Sequence, residues 1–195
     1  MEPISKTARA RPLSNARLAI LMVLTAELML FAGLIGAFLV FRVGSITWPP
    51  PTQIGIRLPV AVTGINTAIL LLSGYTMIQA LRATRRERKA ELGTWLVVTA
   101  VLGVVFLVVQ GSEWVRLVSF GLTLSSGIYG AVFYLLIGCH AVHVAFAVVW
   151  LLVVLVRTLS KALSLGHHRG VELCTIYWVF VVALWPVLYV LVYLA

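Results

Sequence analysis

The fold is decided by residues 128–156, IYGAVFYLLIGCHAVHVAFAVVWLLVVLV, an uninterrupted run that contains no Asp, Glu, Lys or Arg. An α-helix needs about 20 apolar residues to cross the hydrocarbon core of a bilayer, so this run is long enough to span it with a tilt. Four more apolar runs of sufficient length flank it. The sequence therefore predicts an all-α integral membrane bundle of five transmembrane helices, at about residues 18–41, 59–81, 93–114, 128–156 and 171–194.

The composition agrees with lipid as the main solvent. The 195 residues are 62% hydrophobic and 11% charged, whereas a globular domain is about 25% charged. The net charge of +9 comes from basic residues in the short segments between the apolar runs, where they set topology and contact anionic lipid. We therefore expect no nucleic-acid partner, and we divide the chain into a cytoplasmic tail, residues 1–17, and a membrane domain, residues 18–195.

The distribution of positive charge predicts the orientation. Of the 15 Lys and Arg residues, twelve lie in the N-terminal tail and in the second and fourth joining segments, and three lie in the first and third. Cytoplasmic segments of membrane proteins are enriched in Lys and Arg. The N-terminus is therefore predicted to be cytoplasmic and the C-terminus periplasmic.

Ionisable residues inside spanning helices are costly and mark function or contact with a partner. Glu27 follows Arg17 by ten residues, which places it about 15 Å along the helix, near the middle of the bilayer. Two interpretations stay open for it. One is a carboxyl group that handles protons or binds a partner, and the other is a protonated, hydrogen-bonded packing residue.

His140 and His143 are three residues apart and share one face of the fourth helix. Side chains that point the same way cannot be the two opposed axial ligands of one haem. A metal site would need more ligands than the chain offers nearby, unless Glu27 joined them. We predict a polar cluster within the bundle, in which Glu27 pairs with either His140 or His143.

Further polar residues lie nearer the ends of the helices. Gln110 and Glu113 share a face near the outer end of the third helix, beside Trp114, and they are read either as interfacial anchors or as functional groups. Glu172 opens the fifth helix, where a carboxylate complements the helix dipole. The sequence contains no nucleophile with a base, no phosphate-binding glycine loop and no carboxylate pair, so no catalytic, cofactor-binding or metal-binding residue is predicted.

Five blocks along the chain carry a resemblance to a known family. They are Glu27-Leu28-Met29-Leu30-Phe31-Ala32; Trp48-Pro49-Pro50-Pro51; Asn66-Thr67 with Leu70-Leu71-Leu72-Ser73; Gly103-x-x-Phe106-x-x-x-Gln110-x-x-Glu113-Trp114; and Tyr129-Gly130-x-x-Phe133-Tyr134 followed by Gly138-Cys139-His140-Ala141-Val142-His143-Val144. The last block matches a Gly-x-His-x-x-His-Val pattern and is the most specific. Together the blocks resemble the cytochrome c oxidase subunit III family of haem–copper terminal oxidases, in its bacterial five-helix form.

The fifth helix keeps only part of the family pattern, which reads Glu, then Tyr-Trp-His-Phe-Val-Asp, then Trp. The chain retains Glu172, Tyr177 and Trp178, but Val179 stands where the family has His and Val182 where it has Asp. The chain therefore lacks two polar side chains that the family pattern carries on this helix.

The resemblance implies a role without chemistry in this chain. It implies a non-catalytic subunit III of a respiratory haem–copper oxidase that stabilises the catalytic subunit, binds phospholipid and supports proton uptake during oxygen reduction. The haem and copper would reside in the catalytic subunit I, with subunit II as a further partner, within a proton-pumping terminal oxidase of the bacterial cytoplasmic (inner) membrane. Its polar support would comprise Glu27, Gln110, Glu113, His140, His143, Glu172, Tyr177 and Trp178.

Two alternatives stay open at this point. One is a subunit III-like partner of nitric oxide reductase, suggested by the altered fifth helix and its Trp185-Pro186-x-Leu188-Tyr189 ending. The other is a membrane haem b protein.

Overall fold

A computed structural model describes residues 15–46, 48, 60–160 and 167–194. It contains five α-helices long and apolar enough to cross a membrane, which confirms the predicted fold class. The tail before Asn15 and the prolines after Trp48 lie outside the described residues. The helices are α1 (Asn15–Val43), α2 (Val60–Arg85), α3 (Lys89–Ser119), α4 (Ile128–Leu159) and α5 (His167–Tyr189), and α5 continues as a π-helical turn over Val190–Leu194.

Helix α5 lies at the centre of the arrangement. It packs against α1, α2 and α4, while α2 also packs along α3, and α3 along α4. Helices α2 and α3 form a hairpin closed by a tight turn in which Glu87 adopts a left-handed conformation with φ 58°. The amide groups of Glu87 and Arg88 donate to the carbonyls of Thr84 and Ala83, at 3.2 and 3.0 Å, which satisfies the open end of α2.

The seam between α2 and α5 is held by two tryptophans. The indole nitrogen of Trp178 donates to Ser73 Oγ at 3.2 Å, and that of Trp185 donates to Thr67 Oγ1 at 2.9 Å. The two tryptophans are seven residues apart, about two helical turns, so both reach the same neighbouring helix. In an apolar medium an unpaired indole N–H is costly, so these bonds fix how α5 lies against α2.

Close backbone approach completes the core. A Cβ on Gly103 of α3 would lie 2.6 Å from the ring of Trp178, so only glycine fits there. The hydroxyls of Thr76 and Thr99 meet at 2.8 Å across the hairpin. Small residues of this kind let the backbones of transmembrane helices come close together. Such close packing matters in a membrane because apolar side chains gain little free energy by leaving lipid.

Helix α1 is packed differently from the other four. Only 11% of its apolar window is buried, against 33 to 44% for the others. Its buried residues Ile20, Phe31 and Phe38 form one narrow row, which faces α4 and α5. Trp48, just after α1, contacts Phe38 and Tyr129 edge-on, with ring centroids 5.6 and 5.1 Å apart.

Candidate functional site: a polar cluster between α1, α4 and α5

Three polar side chains from three helices meet between α1, α4 and α5. The hydroxyl of Tyr177 donates to Glu27 Oε1 at 3.1 Å, and His143 Nε2 lies 3.7 Å from the same oxygen. The side chains of Glu27 and His143 are mostly buried, with 14 and 18% of their surfaces exposed. The sequence hypothesis left the partner of Glu27 open between two histidines, and the structure places His143 beside it.

The hydrogen bonds around His143 constrain where protons lie. Its Nδ1 is 2.7 Å from the carbonyl oxygen of Cys139, and because a carbonyl only accepts, Nδ1 carries the hydrogen. A neutral ring then presents Nε2 towards Glu27, and at 3.7 Å the two atoms lie beyond hydrogen-bond distance. The Cys139 carbonyl therefore fixes the orientation of the ring, with Nε2 turned towards the carboxyl group.

His140 lies in a different environment although it is only three residues away. It is fully buried, stacked on Trp185 with ring centroids 5.0 Å apart and in edge contact with Phe31 at 6.2 Å. Neither of its ring nitrogens has a hydrogen-bond partner among the described residues. The two histidines thus share a helix face as predicted, but only His143 reaches the carboxyl group.

The predicted outer pair, Gln110 and Glu113, is also buried but stays apart from the cluster. Gln110 Nε2 donates to the hydroxyl of Tyr193 at 3.2 Å, and Arg116 donates to Glu113 Oε1 at 3.3 Å from one helical turn away. The Glu113 side chain is only 8% exposed, whereas that of Arg116 is 69% exposed. Gln110 and Glu113 are therefore more enclosed than purely interfacial anchors would be.

The remaining predicted residues take separate positions. The prediction that Glu172 opens the fifth helix is wrong, because α5 begins at His167 and its first turn, where a carboxylate complements the dipole, contains no acidic residue. Glu172 instead accepts a 2.6 Å hydrogen bond from Arg17 and so ties α5 to α1. Tyr177 is buried and packs in ring contact with Phe146 and Trp150, at 5.7 and 5.6 Å. Trp178 belongs to the seam between α2 and α5, not to the cluster.

Two residues of the site, Tyr193 and Trp185, were not predicted from the sequence. Tyr193 partners Gln110, and Trp185 stacks on His140. Trp185 follows Trp178 by seven residues, so the sequence spacing predicts that both lie on one face of α5. Tyr193 lies in the π-helical turn, whose changed register cannot be read from an apolar run.

The two valines that depart from the family pattern occupy different places on α5. Val182 is buried against α2, where a Cβ on Gly74 would lie 3.0 Å from Val182 Cγ1. Val179 is only partly buried. An aliphatic side chain at position 182 lets Gly74 approach α5 without a buried acceptor to satisfy.

No group of three or more His, Cys, Asp or Glu side chains lies close enough to hold a metal ion within the described parts of the chain. The cluster contains one carboxyl, one imidazole and one phenol. Such a set can bind and release a proton and can hold three helices together, but it offers no nucleophile with a base.

Comparison with known proteins gives one consistent result. A family model described as cytochrome c oxidase subunit III matches residues 10–195. The chain is 36% identical over 178 residues to cytochrome c oxidase subunit 3 of Synechocystis sp., covering 90% of this chain and 73% of that protein. It is 33% identical over 172 residues to the probable cytochrome c oxidase subunit 3 of Nocardia farcinica, covering 87 and 83%, and 32% identical over 182 residues to the subunit of Pongo abelii, covering 91 and 68%.

Proposed function

This chain belongs to the cytochrome c oxidase subunit III family and is a subunit III of a haem–copper oxidase; from that premise we propose that it is a non-catalytic subunit that stabilises the catalytic subunit, binds phospholipid and supports proton uptake during oxygen reduction. The observation that carries the proposal is the family match over residues 10–195, which includes every described helix. The chain is accordingly a multi-pass membrane protein that works in a complex with other oxidase subunits.

The partners follow from the same premise. We propose that the chain contacts subunit I, where haem and copper would reside, and that subunit II belongs to the same complex. The bacterial relatives support a bacterial cytoplasmic membrane as the location. The concentration of Arg85, Arg86, Arg88 and Lys89 at the hairpin between α2 and α3 supports a cytoplasmic position for that turn, with the N-terminus on the same side.

The phospholipid part of the proposal is supported by a groove at the start of α3. Lys89, Gly93, Val97 and Leu159 contribute to its lining, and its volume is about 400 Å³. The groove is almost wholly apolar, and Lys89 supplies a positive charge at the end nearest the hairpin. Such a surface suits an acyl chain with an anionic headgroup.

The proton-support part rests on the cluster of Glu27, His143 and Tyr177. Glu27 Oε1 accepts a hydrogen bond from Tyr177 at 3.1 Å and lies 3.7 Å from His143 Nε2. His143 and Tyr177 are thus polar neighbours of a carboxyl group at membrane depth, where an uncompensated charge is costly. We propose that this pair keeps the carboxyl group of Glu27 able to exchange a proton during turnover.

The experiment is to tag this chain in its host, purify it in mild detergent, and record the reduced-minus-oxidised spectrum together with oxygen uptake. We expect co-purified large subunits, a haem–copper oxidase spectrum and cyanide-sensitive oxygen consumption. Nitric oxide reduction without oxidase activity would move the chain to the reductase alternative. A Soret band in the isolated chain would favour the membrane haem b alternative.

A matched pair of variants tests the proton-support part. In the purified complex, Glu27→Gln removes the titratable group of the cluster, while Glu91→Gln makes the same change at an exposed carboxylate paired with Arg88 at 2.9 Å. We expect slower proton uptake and fewer turnovers before inactivation for Glu27→Gln, and wild-type behaviour for Glu91→Gln. Equal behaviour of the two variants would remove the cluster from the proton-support role without affecting the subunit assignment.

A further inference from the structure

The outward-facing side of α2 carries polar groups at membrane depth. Its exposed row, which we call the α2 outer stripe, turns away from α3 and α5. In this stripe Ile65 is 67% exposed, Leu72 51% and Tyr75 54%, and Ala68 is also exposed while Gln79 is half-buried. The α2 outer stripe comprises Ile65, Ala68, Leu72, Tyr75 and Gln79.

Two measures place Tyr75 well inside the bilayer. It precedes Arg82, at the basic end of α2, by seven residues, which is about 10 Å of helix. Its neighbour Thr76 contacts Thr99 of α3 at 2.8 Å, and Thr99 is ten residues, about 15 Å, from Lys89 at the basic end of α3. Tyr75 therefore lies deeper than the interfacial belt in which exposed tyrosines of membrane proteins are enriched.

The direction of the side chain takes its hydroxyl deeper still. Helical side chains lean towards the N-terminus of their own helix, and for α2 that direction leads away from the basic end. Tyr75 therefore cannot extend its hydroxyl back to the nearer interface without an unfavourable rotamer. Its hydroxyl makes no hydrogen bond to any described residue, whereas those of Tyr134, Tyr177 and Tyr189 each donate one.

The outer rows of the neighbouring helices are different. On α3 the middle of the exposed row consists of valines at 40 to 64% exposure: Val97, Val101, Val104 and Val108. The row also contains two exposed hydroxyls, those of Thr94 and Ser112, and each donates to a carbonyl of its own helix. On α4 the exposed row repeats every seven residues and is wholly aliphatic, at 56 to 68% exposure: Leu135, Val142, Val149 and Val156. In these two rows every exposed hydroxyl is paired within its own helix, whereas the α2 outer stripe carries the Tyr75 hydroxyl, which has no partner among the described residues.

We propose that the α2 outer stripe is the face that docks on a transmembrane helix of the catalytic subunit, and that the Tyr75 hydroxyl donates a hydrogen bond to an acceptor on that helix. A phenol hydroxyl facing hydrocarbon would go unpaired, and a hydroxyl or carbonyl acceptor on a partner helix removes that cost. Ala68, two turns from Tyr75, lets the partner backbone come close. This inference rests on the proposed function, because it assigns a face to the subunit contact.

Site-specific photocrosslinking in the intact complex tests the proposal. The photoreactive residue p-benzoylphenylalanine replaces Tyr75 in one variant and Val101, 55% exposed on α3, in a control at similar depth. We expect irradiation of native membranes to join position 75 to the catalytic subunit and position 101 to lipid alone. Crosslinking of position 75 to lipid alone, in a complex that still co-purifies with its large subunits, would overturn the docking face and leave the proposed function standing.

A milder variant tests the hydrogen bond itself. Tyr75→Phe keeps the ring and removes only the hydroxyl, so the chain should fold as before. We expect a roughly threefold rise in the fraction of this subunit that dissociates from the complex at a fixed detergent concentration, and no change for Val101→Ala. Unchanged dissociation of Tyr75→Phe would refute the hydrogen bond. Failure of wild-type chain to co-purify with any oxidase subunit would instead refute the proposed function, and the docking face with it.

Discussion

Helix α1 and the core formed by α2, α3 and α5 are held in place by different means. In the core, Trp178 fills the space that Gly103 leaves, and both tryptophans of α5 donate hydrogen bonds to hydroxyls of α2. Helix α1 has little buried surface. It is held by a narrow row that includes Phe31 and Phe38 and by a few polar contacts, such as Glu27 with Tyr177. In lipid, close packing therefore fixes the bundle, while a narrow row and a few polar contacts position the peripheral helix.

The same substitution made in the two regions should give the largest difference in stability between them. At Gly103 an added Cβ meets the ring of Trp178 at 2.6 Å, whereas at Gly33 of α1 it meets nothing within 4 Å. We expect Gly103→Ala to destabilise the protein by about 1–3 kcal/mol through overpacking. Gly33→Ala should be neutral or stabilising by up to about 1 kcal/mol, because alanine favours the helix.

Thermal unfolding of both variants in the same detergent measures this difference. The melting temperature of Gly103→Ala should fall, while that of Gly33→Ala should stay level or rise. Equal melting temperatures would mean that the Trp178 ring moves aside freely, and that α2, α3 and α5 are not held by shape.

A second substitution tests the hydrogen bond between the Trp178 indole and the Ser73 hydroxyl. Ser73→Ala removes the acceptor of the Trp178 indole without changing the packing volume by more than one atom. Because that nitrogen then lies unpaired in an apolar seam, we expect a loss of roughly 1 kcal/mol of stability. Ser112→Ala on α3 is the control, since Ser112 is exposed and bonds only to the carbonyl of Val109 in its own helix. A loss of equal size at Ser112 would show that the effect reflects the serine side chain and not the seam.

The sequence carries enough information for the helices but not for all of their contacts. Apolar length alone predicts five spans, and the structure agrees. The helices extend past the apolar runs: α3 begins at Lys89 and ends at Ser119, whereas its apolar run covers about residues 93–114. Backbone hydrogen bonds continue through the polar residues at each end, so hydropathy does not locate the ends of the helices.

The candidate site shows the same division. Depth in the bilayer and helical spacing predicted that Glu27 pairs with His140 or His143. Which of the two it meets depends on the rotation of α1 relative to α4, and the sequence pattern of a single helix carries no information about that rotation. The interior position of His140 depends on Trp185, a residue of another helix. The hydrogen bond between Gln110 and Tyr193 likewise joins two different helical segments, α3 and the π-helical turn. Contacts between helices depend on how each helix is rotated about its axis relative to its neighbours, and the sequence pattern of one helix does not determine that rotation.

The smallest effect should come from the contact between Arg17 and Glu172, which ties the basic ends of α1 and α5. The side chains are 48 and 23% exposed, so water and salt screen the pair, and exposed ion pairs contribute about 0–1 kcal/mol. We expect Glu172→Gln to lower stability by no more than that amount, and the difference from wild type to vanish at high salt. Thermal unfolding at low and high salt measures it. A loss that persists at high salt would mean that this pair, and not the row of Phe31 and Phe38, holds α1 against the bundle.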